Sequence, residues 1–99
     1  MFFNKSDVST ILSAFSVFRT CYPLFDVPEN TPTLLDDLEK KLRSFSFATF
    51  FSKRDLIIIS NSLSCSIEFL ESRKKKVPRE FYEISLKAVT YFSSHLASE

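Results

Sequence analysis

The sequence predicts an all-α fold, a small antiparallel four-helix bundle, on three observations: there is no glycine, apolar residues recur at three- and four-residue spacing in four segments, and Pro or polar clusters separate those segments. Glycine supplies the φ > 0 positions that tight hairpins, bulges and Schellman helix ends normally use. A chain without it is hard to build into a closely turned sheet, whereas helices joined by polar or Pro-containing loops remain easy. Expected helices lie near 7–22, 32–46, 53–73 and 78–96, in one domain spanning 1–99.

The first helix is expected to take Ser6 as N-cap and Asp7 in its first turn, and to carry Val8, Ile11, Phe15, Phe18 and Tyr22 inward until Pro23 ends it. Pro28, Glu29 and Asn30 mark a loop. For the second helix, Thr31 is the expected N-cap and Pro32 the first helical residue, with Leu34, Leu35, Leu38, Leu42 and Phe45 as its stripe. Ser52 with Asp55 three residues on reads as a capping box opening the third helix, whose stripe is Leu56, Ile59, Leu63, Ile67 and Leu70. From Ile59 to Ile67 Ser falls at even positions, as in a half-exposed strand. The helical stripe runs unbroken through both sides of that stretch, and Ser and Asn are poor strand residues, so the longer period explains more. The fourth helix opens at Pro78 and places Phe81, Ile84, Ala88, Tyr91 and Phe92 on one side.

Composition narrows the function classes. Without glycine neither a P-loop nor a dinucleotide-binding turn can form. A formal net charge of +1 gives no whole-molecule field toward nucleic acid or an anionic membrane. Cys21 and Cys65 fall in no metal-ligand spacing, which favours reduced thiols in a cytoplasmic protein and leaves a disulfide open. No apolar run is long enough to span a membrane.

Catalytic candidates are few. His95 is the only histidine and could face Cys21 or Cys65 as a Cys-His nucleophilic pair, although nothing local marks either thiol as activated, and a helix-end imidazole covering the bundle rim is the plainer reading. Asp36, Asp37 and Glu39 suit the field at a helix start without any metal, and no catalytic residue, metal site or cofactor is assigned. Arg73, Lys74, Lys75, Lys76 and Arg79 form the one basic cluster. It lacks interleaved aromatics, so a nucleic-acid-binding regulator is an alternative rather than the leading reading, with a Cys/His enzyme as a second alternative.

The leading reading comes from surplus apolar surface. On a helical wheel the third helix carries Ile58, Cys65 and Phe69 roughly opposite its core stripe, and the fourth carries Tyr82, Leu86, Val89 and Leu96 away from its own. Phe45, Phe47, Phe50 and Phe51 crowd the passage between the second and third helices. A straight helix cannot point all four at one core: either the helix breaks near Ser46 and the rings fold over the bundle end, which a fresh N-cap at Ser52 favours, or they stay outside as an adhesive patch. Ile58, Cys65, Phe69, Tyr82, Leu86, Val89, Phe47, Phe50 and Phe51 are therefore the expected interface of a non-enzymatic protein that binds another protein and forms a homodimer. In size and helix count such a domain resembles bacteriocin immunity proteins, which implies an inhibitor, immunity or regulatory adaptor role of the kind phages and plasmids carry.

Overall fold

The computed structural model describes residues 3–46 and 49–97, with side chains as far as Ser93. Four α-helices follow in order: α1 (Lys5–Cys21), α2 (Thr31–Arg43), α3 (Lys53–Ser72) and α4 (Arg79–Ala97), with a 3₁₀ turn, Tyr22–Leu24, after α1. There is no strand among the described residues, so 59–67 is helical throughout.

Helix starts are set by side-chain caps. Ser52 opens α3 as expected: its hydroxyl accepts from the Asp55 N–H, and the Asp55 carboxylate accepts from the Ser52 N–H. The start of α1 differs from expectation. Asn4, not Ser6, is the N-cap, in an identical reciprocal box with Asp7, because a three-residue offset to Asp7 lets both backbone N–H groups be satisfied at once. Thr31 is the first residue of α2 rather than its cap, and its hydroxyl donates to the Pro28 carbonyl at 2.6 Å. Helix α2 ends at Arg43, short of 46, where the Ser44 hydroxyl turns back on the Lys40 and Lys41 carbonyls.

A second departure concerns glycine. Helix α3 ends in a Schellman motif, the Lys75 N–H donating to the Leu70 carbonyl and the Lys74 N–H to the Glu71 carbonyl. Lys74 holds the left-handed position at φ 56°, where glycine normally sits. The lack of glycine therefore leaves the motif in place and adds a steric cost to it.

Directions follow from cross-helix contacts. Lys87 reaches Asp7 at 2.7 Å and Tyr91 stacks near Phe3, so α4 runs antiparallel to α1. The Tyr82 hydroxyl donates to Glu71 at 3.4 Å near one end, and Val89 and Phe92 share a groove with Ile57 near the other, so α4 is antiparallel to α3 as well. Arg19 pairs with Asp36 at 2.8 Å while Leu42 lies beside Val8, which makes α2 antiparallel to α1. The sense of all four helices is up-down-up-down. Their grouping is not square: α1, α3 and α4 pack mutually, and α2 lies on α1 with lighter contact to α3.

The close approach of α1 to α3 uses small residues. Ser62 and Ser66, both fully buried, face inward beside Leu56, Ile59 and Leu63, and the Ser66 hydroxyl donates to the Ala14 carbonyl of α1 at 3.0 Å. Ser62 satisfies its hydroxyl on the Ile58 carbonyl one turn back. Ser64 is exposed and Ser60 half-buried, so the alternation in sequence separates into one buried pair and two outer positions. Ile67 and Leu70 are correspondingly only half-buried.

Two stability outcomes follow. Ser66→Val should destabilise by about 1 to 3 kcal/mol through overpacking against α1, and Ser66→Ala by about 1 kcal/mol through the lost hydrogen bond, both read from chemical denaturation midpoints. Lys74→Gly should raise stability by about 0.5 to 1 kcal/mol; a loss on that substitution would contradict the left-handed assignment.

Candidate functional site

Helix α4 sends Phe81, Ile84 and Ala88 into the core. Residues offset by one or two positions from that stripe point roughly 100° to 160° away, and there Tyr82, Leu86 and Val89 remain 47%, 70% and 50% exposed. Their spacing of four and then three residues puts them on one line along the helix. Lys87, between the two stripes, is tied back to Asp7 and the rotation of the helix is thereby held. Ile57 of α3, 45% exposed, continues the apolar surface across a groove of about 200 Å³ whose other wall is Val89 and Phe92. The Tyr82 ring is held by its hydrogen bond to Glu71. Partial desolvation, then the Glu71 carboxylate, keeps its phenol above the ordinary tyrosine value. Of the residues expected at an interface, Tyr82, Leu86 and Val89 thus converge on one exposed face.

The second line of α3 is used differently. Ile58, Cys65 and Phe69 are half-buried and pack against the core. Ile58 lies beneath the loop and helix start at 27–34, and the Arg73 guanidinium covers the Phe69 ring at 4.9 Å. Their apolar character serves a helix with neighbours on several sides, since α3 touches α1, α2 and α4.

The Phe cluster divides. The chain does break after α2, yet Phe51 is a correction to the expected interface, being fully buried with its ring edge-on to Phe3 at 5.5 Å and stacked on Phe45 at 6.3 Å. The extended chain before Ser52 turns Phe51 inward over the bundle end, where Lys41 lies 5.7 Å from the ring. Phe50, its neighbour, faces out at 63% exposure while its carbonyl accepts from Lys41. Phe47 lies outside the described residues.

In the basic turn Arg73, Lys74, Lys75, Lys76 and Arg79 are all exposed. Arg73 is occupied with Phe69, and Arg79 pairs with Glu83 at 3.0 Å within α4, leaving the three lysines as the charges open to an anion. The acidic cluster is likewise engaged: Asp36 bonds Arg19, and Glu39 lies 3.7 Å from Arg19 and 3.6 Å from Arg43. No group of three potential metal ligands occurs among the described residues. Among the described residues no helix is long and apolar enough to cross a membrane.

Both thiols are free, Cys21 buried and Cys65 half-buried. Burial pushes the Cys21 thiol up, and it pushes Cys65 up too, with Cys21 and Glu68 nearby adding to the effect. The His95 side chain lies outside those described. The surroundings of each cysteine therefore favour the thiol form over a nucleophilic thiolate.

Two features went unread in sequence. Ile57 sits between the two stripes of α3 and was assigned to neither. Arg54, Ile57, Ile58 and Asn61 fall at i, i+3, i+4 and i+7, a one-face pattern that marks the wall of a second cavity against residues 27–34. Comparison with protein-family models, curated proteins and solved structures finds no match.

Because burial raises both thiol pKa values, the thiolate fraction near pH 7.5 should be below that of a free cysteine. Iodoacetamide should modify the folded protein more slowly than the urea-unfolded chain at that pH, followed by mass spectrometry. Faster modification of either cysteine in the folded state would reveal an activating group beside it.

Proposed function

We propose that this chain is a small non-enzymatic binding protein that acts through protein-protein contact, with the outer face of α4 and the neighbouring Ile57 as its adhesive surface. The observation that supports the reading most directly is Leu86, 70% exposed at the centre of the Tyr82, Leu86, Val89 line on a helix whose opposite side is fully packed. An isolated exposed leucine is ordinary on a protein surface, whereas a contiguous apolar line bordering a groove is the usual mark of an interaction site.

The first occupant of that surface is a second copy. A helix face with apolar residues at four- and three-residue spacing is self-complementary across a two-fold axis, where two such faces pack antiparallel. Four partly exposed side chains offer a few hundred Å² at most, below the roughly 800 Å² per partner of a stable interface. The association is accordingly weak and exchangeable, which suits an inhibitor or adaptor that trades self-contact for a heterologous partner. The alternative of a nucleic-acid-binding regulator rests on Lys74, Lys75 and Lys76, which are exposed in one turn.

Sedimentation equilibrium and thermal melting separate these readings. The wild-type chain should self-associate in the high-micromolar range, and Leu86→Lys should be monomeric with a melting temperature within about 2 °C of wild type, as expected for an exposed position. A wild-type protein that stays monomeric at about 1 mM, near the weak limit of specific association, would refute the proposed surface. Salt-sensitive DNA binding that disappears on neutralising the three lysines, with self-association untouched, would shift the assignment to the regulator.

A further inference from the structure

A cavity of about 310 Å³ lies next to the α4 groove, sharing Ile57 and Asn61 with it, between residues 54–61 of α3 and residues 27–34 of the loop and α2 start. Its walls are apolar: Phe18 at the base, with Val27, Leu34, Ile57 and Ile58 around it. Pro28 and Thr31, whose hydroxyl is spent on the Pro28 carbonyl, also line it, and three further polar side chains, Arg54, Asn61 and Asn30, complete the lining. None of the three has a side-chain hydrogen bond or ion pair among the described residues. Most other cations near the helix interfaces are engaged: Arg19 with Asp36, Lys41 with Asp55, Lys87 with Asp7. Arg54 has no such partner, and its exposed side chain stands beside an apolar cavity.

That combination defines a ligand chemistry. Apolar walls with a few polar groups in a volume of this order are the ordinary composition of a small-molecule site. A guanidinium presents paired N–H donors that match a carboxylate in two-point contact. Arg54 is the only charged side chain lining the cavity, so one negative charge is matched and a dianionic phosphate monoester would be left half-neutralised. Arg54 and Asn61 are seven residues apart on α3, about 10 Å along the axis, with Ile57 and Ile58 between them. We infer that the cavity binds a small amphipathic monocarboxylate, its carboxylate on the Arg54 guanidinium and its aliphatic body laid along Ile57 and Ile58 toward Asn61. The site shares Ile57 with the proposed adhesive surface but none of Tyr82, Leu86 and Val89, so Leu86→Lys, which breaks self-association, should leave octanoate binding intact.

Octanoate is a suitable probe, with octanol and octyltrimethylammonium as neutral and cationic counterparts of equal chain length. Amide chemical shifts of the uniformly labelled full chain should move on octanoate addition at residues 27–34 and 54–61, with a Kd on the order of 1 mM for so small a ligand. Octanol and the ammonium should bind about three- to tenfold more weakly. Arg54→Gln should bring octanoate down to the octanol level without moving the melting temperature, because Arg54 supports no contact of the folded chain. Arg79→Gln should change nothing. Leu34→Glu, at a half-buried wall position, should weaken octanoate and octanol alike. Equal affinity for the three head groups, unchanged octanoate binding in Arg54→Gln, shifts at Ala88, Val89 and Phe92 with none at 27–34, or no binding up to about 10 mM would each overturn the inference.

Discussion

The arrangement of the helices depends on how closely α1 and α3 approach, and the contact that sets this is the Ser66 hydroxyl on the Ala14 carbonyl. A helical carbonyl is already engaged by its own ladder, so a second donor reaches it only where both helices present little bulk. Ala14 on one side and Ser62 and Ser66 on the other meet that condition, and all three are fully buried. With α1 and α3 adjacent, the large side chains have to be accommodated around the seam: Ile11, Phe15, Phe18, Leu56, Ile59 and Leu63 complete the core, and α4 lays Phe81, Ile84 and Ala88 across both helices. Helix α2 is then left to dock at the side, through Leu35, Leu38 and Leu42.

Two charged side chains extend that frame by doing two jobs each. Asp7 and Asp55 occupy equivalent positions, third in their helices, and each closes a capping box while accepting from a lysine of another helix: Lys87 at 2.7 Å and Lys41 at 2.6 Å. A cap alone is worth about 1 kcal/mol and an exposed ion pair less. Here the carboxylates are largely shielded, and the same oxygen, Oδ2, serves cap and lysine in both cases. Fixing the start of α1 to α4 and the start of α3 to α2 in this way makes the direction of each helix part of the tertiary structure.

Much of this was legible in the sequence because it rests on local rules. Four apolar periods, the Ser52 and Asp55 box, Pro32 in the first turn of α2 and the break after α2 all follow from chemistry within a few residues. What was not legible depends on competing local signals or on neighbours distant in the chain. Asn4 competes with Ser6 for the same helix start, and only the offset to Asp7 decides between them. The alternating serines show a strand-like pattern until Ala14 supplies the reason for two of them to be inside. Phe50 and Phe51 are indistinguishable by type, yet one faces water and the other meets Phe3, forty-eight positions away in the numbering. The Schellman turn at Lys74 shows the limit of composition: absence of glycine raises the cost of a left-handed residue by about 1 kcal/mol, less than a satisfied helix end returns.

The surplus apolar surface in α3 and α4 has two different explanations, and the grouping of helices separates them. A helix in the middle of an irregular bundle needs apolar residues on several sides, and α3 spends its second line on α2, on Cys21 and on the Arg73 stack. Helix α4 is peripheral: it touches α1 and α3, while α2 docks chiefly against α1. No other helix packs on its outer side among the described residues, and Tyr82, Leu86 and Val89 remain apolar there at a standing cost in solvation of roughly 25 cal/mol for each Å² left in water. Polar substitution at those positions would remove the cost without disturbing any packed contact of the core. Contacts within the fold account for the second line of α3 and do not account for theirs, which is the basis for proposing an occupant from outside.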